Sequence, residues 1–457
     1  MDLNKIKKIH FVGIGGSGML PLACIALQKG FSVSGSDIQK SLNTEKLCSL
    51  GAEICMNHQP KNIGNSELVV YSNAVKKTNP EVNEAIKNGI KVISRSKFLG
   101  ELTKDYKKLI AISGSHGKTT TSSIITCILV DAGFDPTAII GANFKKIGGS
   151  SQLGKSDIVV CEACEYMDSF LDLEPNLGII LNVDDDHLDY FKNLNGVISS
   201  FNKFADKCKN LLISADDENT IAATKDSKAN KIFYSLSSKA QWFADNIRIN
   251  SCGYAKFDVL NCGEKIFEIN LKIPGRHNIY NALAAIVACD FLGVRKELIK
   301  SSLESFTGAD RRFELVGKIQ GITVIDDFAH HPMEIEATLK TAVNLGFKRV
   351  WAIFQPHTFS RTFLLMDNFA RALSIADRVI LTDILPVREK NIYGIKSEDL
   401  SNKIRNSLCL GSFENVSKFM LENTKLGDLI LTMGGGDIYK CAHMIFEGLK
   451  NAKLQKV

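Results

Sequence analysis

Residues 108–121 read KLIAISGSHGKTTT. Leu109, Ile110, Ala111 and Ile112 form the short apolar run of a buried strand. Gly114, Ser115, His116 and Gly117 follow, then Lys118, Thr119 and Thr120. Ile124, Ile125, Ile128 and Leu129 recur at helical spacing beyond them. Strand, glycine turn, Lys-Thr, helix is the plan of a phosphate-binding loop. Glycines let backbone N–H groups close on phosphate oxygens, and the helix N-terminus adds partial positive charge. In such a loop Lys118 reaches the β/γ-phosphates and Thr119 offers its hydroxyl to Mg²⁺. The common spacing G-x-x-x-x-G-K-[ST] puts its first glycine at Ile112, so only G-x-x-G-K-T is kept. The competing reading is an unliganded glycine turn, and Lys-Thr-Thr at the turn weighs against it.

Downstream, further strands end in acids. Residues 157–163 read as a strand carrying Glu162, with Glu165 three residues on. Residues 177–183 read as a strand running into Asp184, Asp185, Asp186, His187 and Asp189. Strand ends of an open parallel sheet project into one crevice, and carboxylates there suit Mg²⁺. A histidine beside them can take a second ion. Residues 247–273 alternate apolar and polar around Asn261-Cys262-Gly263, the pattern of an antiparallel hairpin. The segment from Pro274 opens a helix with His277, Asn278 and Asn281 near its start. Capping explains one asparagine; two point to a ligand edge.

Upstream, residues 9–14 read as a strand, and Gly13, Gly15 and Gly18 make G-x-G-x-x-G opening a helix. A second strand ends at Asp37, where a dinucleotide-binding domain reads a ribose hydroxyl. From Asp310 a third α/β unit begins. Its strands end in DDFAHHP (326–332), QPHTFSRT (355–362) and GGGD (434–437). The expectation is an α/β protein of three domains. Residues 1–106 form a Rossmann-like domain, 107–309 a central P-loop ATPase-like domain, and 310–457 a second Rossmann-like domain.

Composition agrees with a globular protein of this kind. Of 457 residues, 45% are hydrophobic and 23% charged, and the net charge of +6 is mild for the length. No Lys/Arg cluster with interleaved aromatics argues for nucleic acid, and no apolar run reaches transmembrane length. The N-terminus enters a strand and glycine turn without a secretory h-region. Twelve scattered cysteines, with one C-x-x-C at Cys161 and Cys164 and no second pair, fit a reducing cytoplasm. Most of them are expected to be small buried hydrophobes.

Taken together, these motifs resemble the Mur ligase family. The resemblance rests on HFVGIGGSGM (10–19), GSHGKTTT (114–121), EACE (162–165), NVDDDHLDY (182–190), PGRHNIYNALAA (274–285), RRFE (311–314), DDFAHHP (326–332), FQPHTFSRT (354–362) and LTMGGGDI (431–438). It spans nearly the whole chain. It implies that the first glycine turn cradles the pyrophosphate of a UDP-sugar, not a nicotinamide dinucleotide. It implies ligation of L-alanine to UDP-N-acetylmuramate with ATP, through an acyl phosphate, and so a role in peptidoglycan precursor synthesis. By the resemblance, Lys118 neutralises transferring phosphate oxygens. Thr119 and Glu162 hold one Mg²⁺ and His187 a second, and Asn278 and Asn281 flank adenine. Gly15, Gly16, Ser17, Gly18, Asp37, Ser72 and Asn73 serve the UDP-sugar. Arg312, His330 and Arg361 serve the amino acid and the reacting centre.

The chain departs from the family wording in places. Cys164, Tyr166 and Met167 interrupt an acidic stretch, with Asp168 a candidate substitute. Phe328 stands where tyrosine is common, and Thr358 where some members have arginine. Two other readings stay open, the first within the resembled family and the second from the residues. One is a ligase that attaches a recycled murein tripeptide to the same UDP-sugar. The other is a nicotinamide-dependent oxidoreductase with an accessory ATPase domain, motivated by Gly13, Gly15, Gly18 and Asp37. The sequence leaves the oligomeric state open.

Overall fold

The computed structural model describes residues 1–454 except Lys77, Ser238, Lys239 and Arg388; the side chains of Leu188, Asp189 and 452–454 are also outside the description. Twenty-one described strands build three sheets. The chain forms two compact units. One comprises 1–243, 260–264 and 280–303, the other 244–259, 265–279 and 304–457.

The first sheet holds β1 (Lys8–Val12), β2 (Ser32–Asp37), β3 (Glu53–Met56), β4 (Leu68–Tyr71) and β5 (Lys91–Ser94) in the order β3-β2-β1-β4-β5. All its pairings are parallel. β1 and β4 are near-continuous apolar runs, as strands covered on both faces require. β3 went unread in the sequence because EICM is an edge strand with little burial. The helix expected at the glycine fingerprint begins only at Leu20, so residues 13–19 form a longer turn. Gly35 packs tightly under it. A Cβ there would sit 2.6 Å from Ile14 Cδ1 and 2.7 Å from the Phe11 carbonyl oxygen.

The second sheet begins with β6 (Lys108–Ser113), β7 (Thr137–Phe144), β8 (Gly149–Gln152), β9 (Ile158–Glu162), β10 (Leu177–Ile180), β11 (Asn210–Ser214) and β12 (Asn230–Ser235). Their order is β12-β11-β10-β6-β9-β7-β8. Only β8 runs antiparallel among them. β6 lies between β9 and β10, so the sheet's winding reverses there. In open α/β sheets that switch point is where ligands bind. The sheets built on β1 and β6 share one apolar cluster, which includes Phe98, Leu102, Phe170 and Leu173.

β13 (Trp242–Ile249), β14 (Tyr254–Asn261) and β15 (Glu264–Pro274) follow. β14 and β15 are neighbours joined by Cys262 (φ +50°) and Gly263 (φ +86°), a two-residue hairpin turn with both residues left-handed, at the expected position.

The third sheet holds β16 (Glu314–Ile319), β17 (Ile322–Asp327), β18 (Arg349–Phe354), β19 (Arg378–Thr382), β20 (Ser407–Gly411) and β21 (Asp428–Met433) in the order β16-β17-β21-β18-β19-β20. β16 alone is antiparallel. Among the described residues no helix is long and apolar enough to cross a membrane.

Candidate active site

The loop after β6 turns on two glycines with positive φ, Gly114 (+134°) and Gly117 (+86°). A Cβ on Gly117 would lie 2.4 Å from Asn281 Oδ1 and 3.1 Å from Leu181 Cδ1. The loop is clamped from the segment after β10. Asn182 O accepts from Ser115 N at 3.1 Å, and Asn182 Oδ1 accepts from His116 N at 2.8 Å. Ser115 Oγ accepts from Asp184 N at 2.9 Å. Two N–H groups expected to meet phosphate are therefore spent on Asn182. The loop leads into the N-terminus of helix Lys118–Asp131, which no side chain caps and whose dipole favours an anion.

Lys118 Nζ folds back on the loop. It donates to Gly114 O at 2.5 Å and to Glu165 Oε1 and Oε2 at 3.2 and 3.0 Å. Glu165 is 1% exposed. Burial pushes the Lys118 ammonium down, but the Glu165 charge outweighs it, and the ammonium titrates above its ordinary value. Glu165, Asp186 and His187 present ligand atoms that all lie within 4.8 Å of one another. His187 Nε2 stands 3.8 Å from Glu165 and 3.7 Å from Asp186. Its backbone is left-handed (φ +55°), and its ring packs 4.6 Å from that of Tyr166.

Glu162 is placed differently. Its Oε1 accepts from Gly141 N at 2.6 Å and from Ser122 Oγ at 3.3 Å, which ties β9 to β7 and to the loop helix. Sequence reading gave Thr119 and Glu162 to one ion and His187 to a second. The described cluster around His187 adds Glu165 and Asp186, acids named at the strand ends but given no ligand role there. Asp168 accepts from Tyr190 Oη at 2.7 Å and also from Ser200 Oγ, so it anchors its own loop. Asn281 is buried and accepts from Thr121 Oγ1 at 3.4 Å beside Gly117. Asn278, in the second unit, donates to Pro274 O at 2.7 Å.

A cavity of about 600 Å³ opens at the glycine turn of the first sheet. Gly15, Gly16, Asp37 and Ser72 line it, and Ser17, Gly18 and Asn73 are not among its lining. Asp37 does not wait for a ribose. Its Oδ2 accepts from Gly15 N at 2.8 Å and its Oδ1 from Ile38 N at 2.8 Å. Asn73 Nδ2 donates to Ser169 Oγ at 3.3 Å. Sequence reading missed His58 and Lys76, which line the cavity. It also missed Arg95, whose Cδ would be 3.2 Å from a Cβ on Gly18. Single polar residues in loops, or at the start of a helix as Arg95 is, carry no periodic signal, so nothing in the sequence marked them.

In the second unit the loops after β17, β18 and β21 meet. The His330 ring lies beside Gly435 and 5.7 Å from the His357 ring, and its Nδ1 is 3.0 Å from Phe328 O. The two arginines of RRFE divide the work. Arg311 donates to Asp326, Gly434 O and Gly436 O at 2.7–2.9 Å, a structural clamp on the glycine turn. Both guanidinium groups stand over the Phe328 ring, at 4.9 Å and 5.1 Å, so the position keeps an aromatic role without a hydroxyl. Asp327 is buried, which pushes its carboxyl up to about 6 against the opposing pull of Arg312. Thr358 caps the helix Phe359–Leu364, its Oγ1 accepting from Arg361 N at 3.4 Å.

The cysteines are all free, and only Cys24, Cys127, Cys161, Cys208, Cys289 and Cys441 are buried, half rather than most. Cys48 in helix Leu42–Ser49, Cys55 on edge strand β3, and Cys252 and Cys262 in turns are all exposed, where the apolar-burial argument does not reach. Burial pushes the Cys161 thiol up to about 12 and raises that of Cys164, which keeps both protonated.

A phosphate loop with a lysine-paired buried carboxylate and an acid–imidazole cluster, at the switch point of a parallel sheet, defines a nucleotide-dependent phosphoryl-transfer enzyme. Three family models match the chain in order. They are the Mur ligase family catalytic domain over residues 8–107, the Mur ligase middle domain over 112–289, and the Mur ligase glutamate ligase domain over 311–436. The chain is 46% identical to the UDP-N-acetylmuramate–L-alanine ligase of Acetivibrio thermocellus, over 98% of this chain and 97% of that one. It is 45% identical to the enzyme of that name from Clostridium tetani, over 97% and 99%. A solved UDP-N-acetylmuramate–alanine ligase from Thermotoga maritima superposes with TM-score 0.83 at 30% identity, covering 97% of this chain and 99% of that one. A murein peptide ligase from Psychrobacter arcticus gives TM-score 0.76 at 26% identity, covering 97% and 99%. The chain belongs to the Mur ligase family. It is an ATP-dependent acid–amino-acid ligase with three α/β sheets.

Proposed function

We propose that this chain joins L-alanine to UDP-N-acetylmuramate at the expense of ATP, giving UDP-N-acetylmuramoyl-L-alanine, ADP and phosphate. The observation that carries the reading is Lys118, held on Glu165 at a phosphate loop beside Asp186 and His187. The substrate pair is supported by relatives of that name at 43–46% identity over nearly the whole chain. The tripeptide ligase and the nicotinamide oxidoreductase have no comparable support.

The carboxylate of the UDP-sugar is a poor electrophile. Transfer of the γ-phosphoryl group to one carboxylate oxygen breaks the bond to ADP and leaves an acyl phosphate. The alanine amine then attacks the acyl carbon, gives up its proton, and phosphate departs. Positioning and charge neutralisation do most of this work. On this reading Lys118 exchanges Glu165 for phosphate oxygens, and the first-turn N–H groups of its helix bind the same phosphates. That exchange frees Glu165 beside Asp186 and His187. The donor set there, two carboxylates and one imidazole within 4.8 Å, fits a divalent cation. Glu165, Asp186 and His187 would hold one Mg²⁺, and Thr119 with Glu162 another; when bound, the ions neutralise phosphate charge.

The cavity at Gly15 and Gly16 takes the UDP moiety, and Asp37 shapes the turn through Gly15 N. Residues 1–106, 107–309 and 310–457 act as the UDP-sugar, ATP and amino-acid portions. Arg312, His330 and Arg361 serve the last; Asn278 and Asn281 serve the nucleotide. The chain works in the cytoplasm, where ATP is available and its free cysteines stay reduced.

The test is phosphate release with candidate acceptors. Release should require both UDP-N-acetylmuramate and L-alanine. ADP formation independent of both overturns the reading, and preference for a tripeptide over alanine moves it to the recycling ligase.

A further inference from the structure

The first unit holds a buried polar network that the ligation chemistry does not use. Glu81 lies in the first turn of helix Pro80–Lys87 and is fully buried. Its Oε1 accepts from Asn62 Nδ2 at 2.6 Å and Gln59 N at 3.2 Å. Its Oε2 accepts from Ser36 Oγ at 2.5 Å and lies 3.3 Å from His58 Nδ1 and 3.5 Å from His10 Nε2. Burial pushes this carboxyl up, but hydrogen bonds from His10, Ser36 and Asn62 outweigh it and hold it at about 2. Glu81 is therefore an ionised acceptor with no proton to give.

The protons follow from that. Ser36 Oγ spends its hydrogen on Glu81, so it must accept from His58 Nδ1, 2.9 Å away. Both neighbours of Nδ1 are acceptors, which places the ring hydrogen on Nδ1. His58 lines the glycine-turn cavity, and no described residue takes its Nε2. In the neutral ring Nε2 is then a hydrogen-bond acceptor turned away from the network. An acceptor does not suit a phosphate oxygen. It suits the uracil N–H or a ribose hydroxyl. The titratable groups around it are Glu81, His10 of β1, which contacts Glu81, and Asp37 and Lys76, which line the cavity with it.

We propose that Glu81 is a positioning residue of the UDP-sugar site: it fixes the Nδ1–H tautomer of His58, whose Nε2 accepts a hydrogen bond from an N–H or O–H of the bound nucleoside. This rests on the reading that the cavity takes the UDP-sugar.

The experiment is steady-state kinetics of the full chain with Glu81→Gln, His58→Asn, His58→Gln and the Glu81→Gln/His58→Asn pair. Glu81→Gln and His58→Asn should raise KM for UDP-N-acetylmuramate about tenfold, with kcat and KM for ATP within about twofold. His58→Gln, whose amide oxygen reaches toward the Nε2 position, should lose less. The double variant should match His58→Asn within about twofold, because Glu81 acts through the ring. ¹⁵N-histidine NMR of the free protein should give His58 as the Nδ1–H tautomer, and Glu81→Gln should remove that preference. A proton on Nε2 alone, or fully additive losses, overturns the proposal. If Glu81→Gln does not fold, the two His58 variants and the wild-type NMR spectrum decide it. Gly16→Arg fills the cavity and is the control. If it leaves the UDP-sugar KM unchanged, the cavity reading itself fails. If it raises KM while the Glu81 and His58 variants do not, only this proposal fails.

Discussion

Gly117→Ala tests whether the loop geometry, rather than the lysine alone, makes the ATP site. Two terms act. Gly117 has φ +86°, and an L-residue in the left-handed region costs about 1–2 kcal/mol. The new Cβ would stand 2.4 Å from Asn281 Oδ1, a buried amide held by Thr121, and 3.1 Å from Leu181 Cδ1. Overpacking of that kind costs about 1–3 kcal/mol. The sum, about 2–5 kcal/mol, falls on a short loop that can move aside, so it should appear as lost competent geometry rather than global unfolding. Between about 30-fold and 5,000-fold should be lost from kcat/KM for ATP, with the thermal midpoint little changed. Coupled ADP release and a thermal scan measure both. Asn281→Gly removes the steric term but leaves the φ term. Adding Gly117→Ala to it should therefore cost only about tenfold more. A Gly117→Ala enzyme within twofold of wild type refutes the reasoning.

Other outcomes follow from the same geometry. Lys118→Ala should abolish ligation while circular dichroism stays native; near-normal turnover removes its assigned role. Glu165→Gln releases the Lys118 partner and one candidate cation ligand, so the Mg²⁺ concentration for half-maximal phosphate release should rise severalfold; an unchanged Mg²⁺ dependence argues against the cluster. Asp327 titrates at about 6 in the fold against an ordinary 3.8, so the folded state binds the proton more tightly. Its stabilising term is present below about pH 4, is lost as pH rises through about 6, and amounts to about 3 kcal/mol. Asp327→Asn should flatten the thermal stability of the second unit across that window; a slope identical to wild type counts against it.

The fold was legible where the chemistry is periodic. Residues 109–112, 158–161, 177–180 and 429–433 are apolar runs, and each is a parallel strand inside a sheet. Several edges were not legible. β3, β16 and β20 mix polar and apolar residues and β8 is Gly-Ser-Ser-Gln, because an edge strand answers to one neighbour and to solvent, whereas the edge strand β15 was readable from its hairpin turn. The turns were legible in type but not in length. The helix after the first glycine turn starts at Leu20, since that turn takes all of residues 13–19 to cross from β1. In the candidate site, residue types were readable and pairings were not. Lys118 was identifiable from Gly-Lys-Thr, but its partner could have been Glu162 or Glu165. The choice depends on how residues 163–166 leave β9, a matter of backbone direction rather than spacing.

That distinction bears on how the site tolerates its unusual wording. The two acidic places lost around Cys164 and Met167 leave Glu165 untouched, and Glu165 is the residue that meets Lys118 and His187. Asp168, the apparent substitute, is turned to Tyr190 and Ser200 and so holds the Leu188–Phe191 helix rather than an ion. Phe328 likewise loses a hydroxyl but keeps the ring against which Arg311 and Arg312 stack. The groups that could exchange a proton, a phosphate or a cation, namely Lys118, Glu165, Asp186 and His187, are the ones the sequence leaves unaltered. On the proposed function, a phosphate arriving at the loop draws Lys118 off Glu165, and the carboxylate so released stands beside Asp186 and His187. Nucleotide binding and cation binding are then coupled through one buried carboxylate, and each should strengthen the other by the same factor.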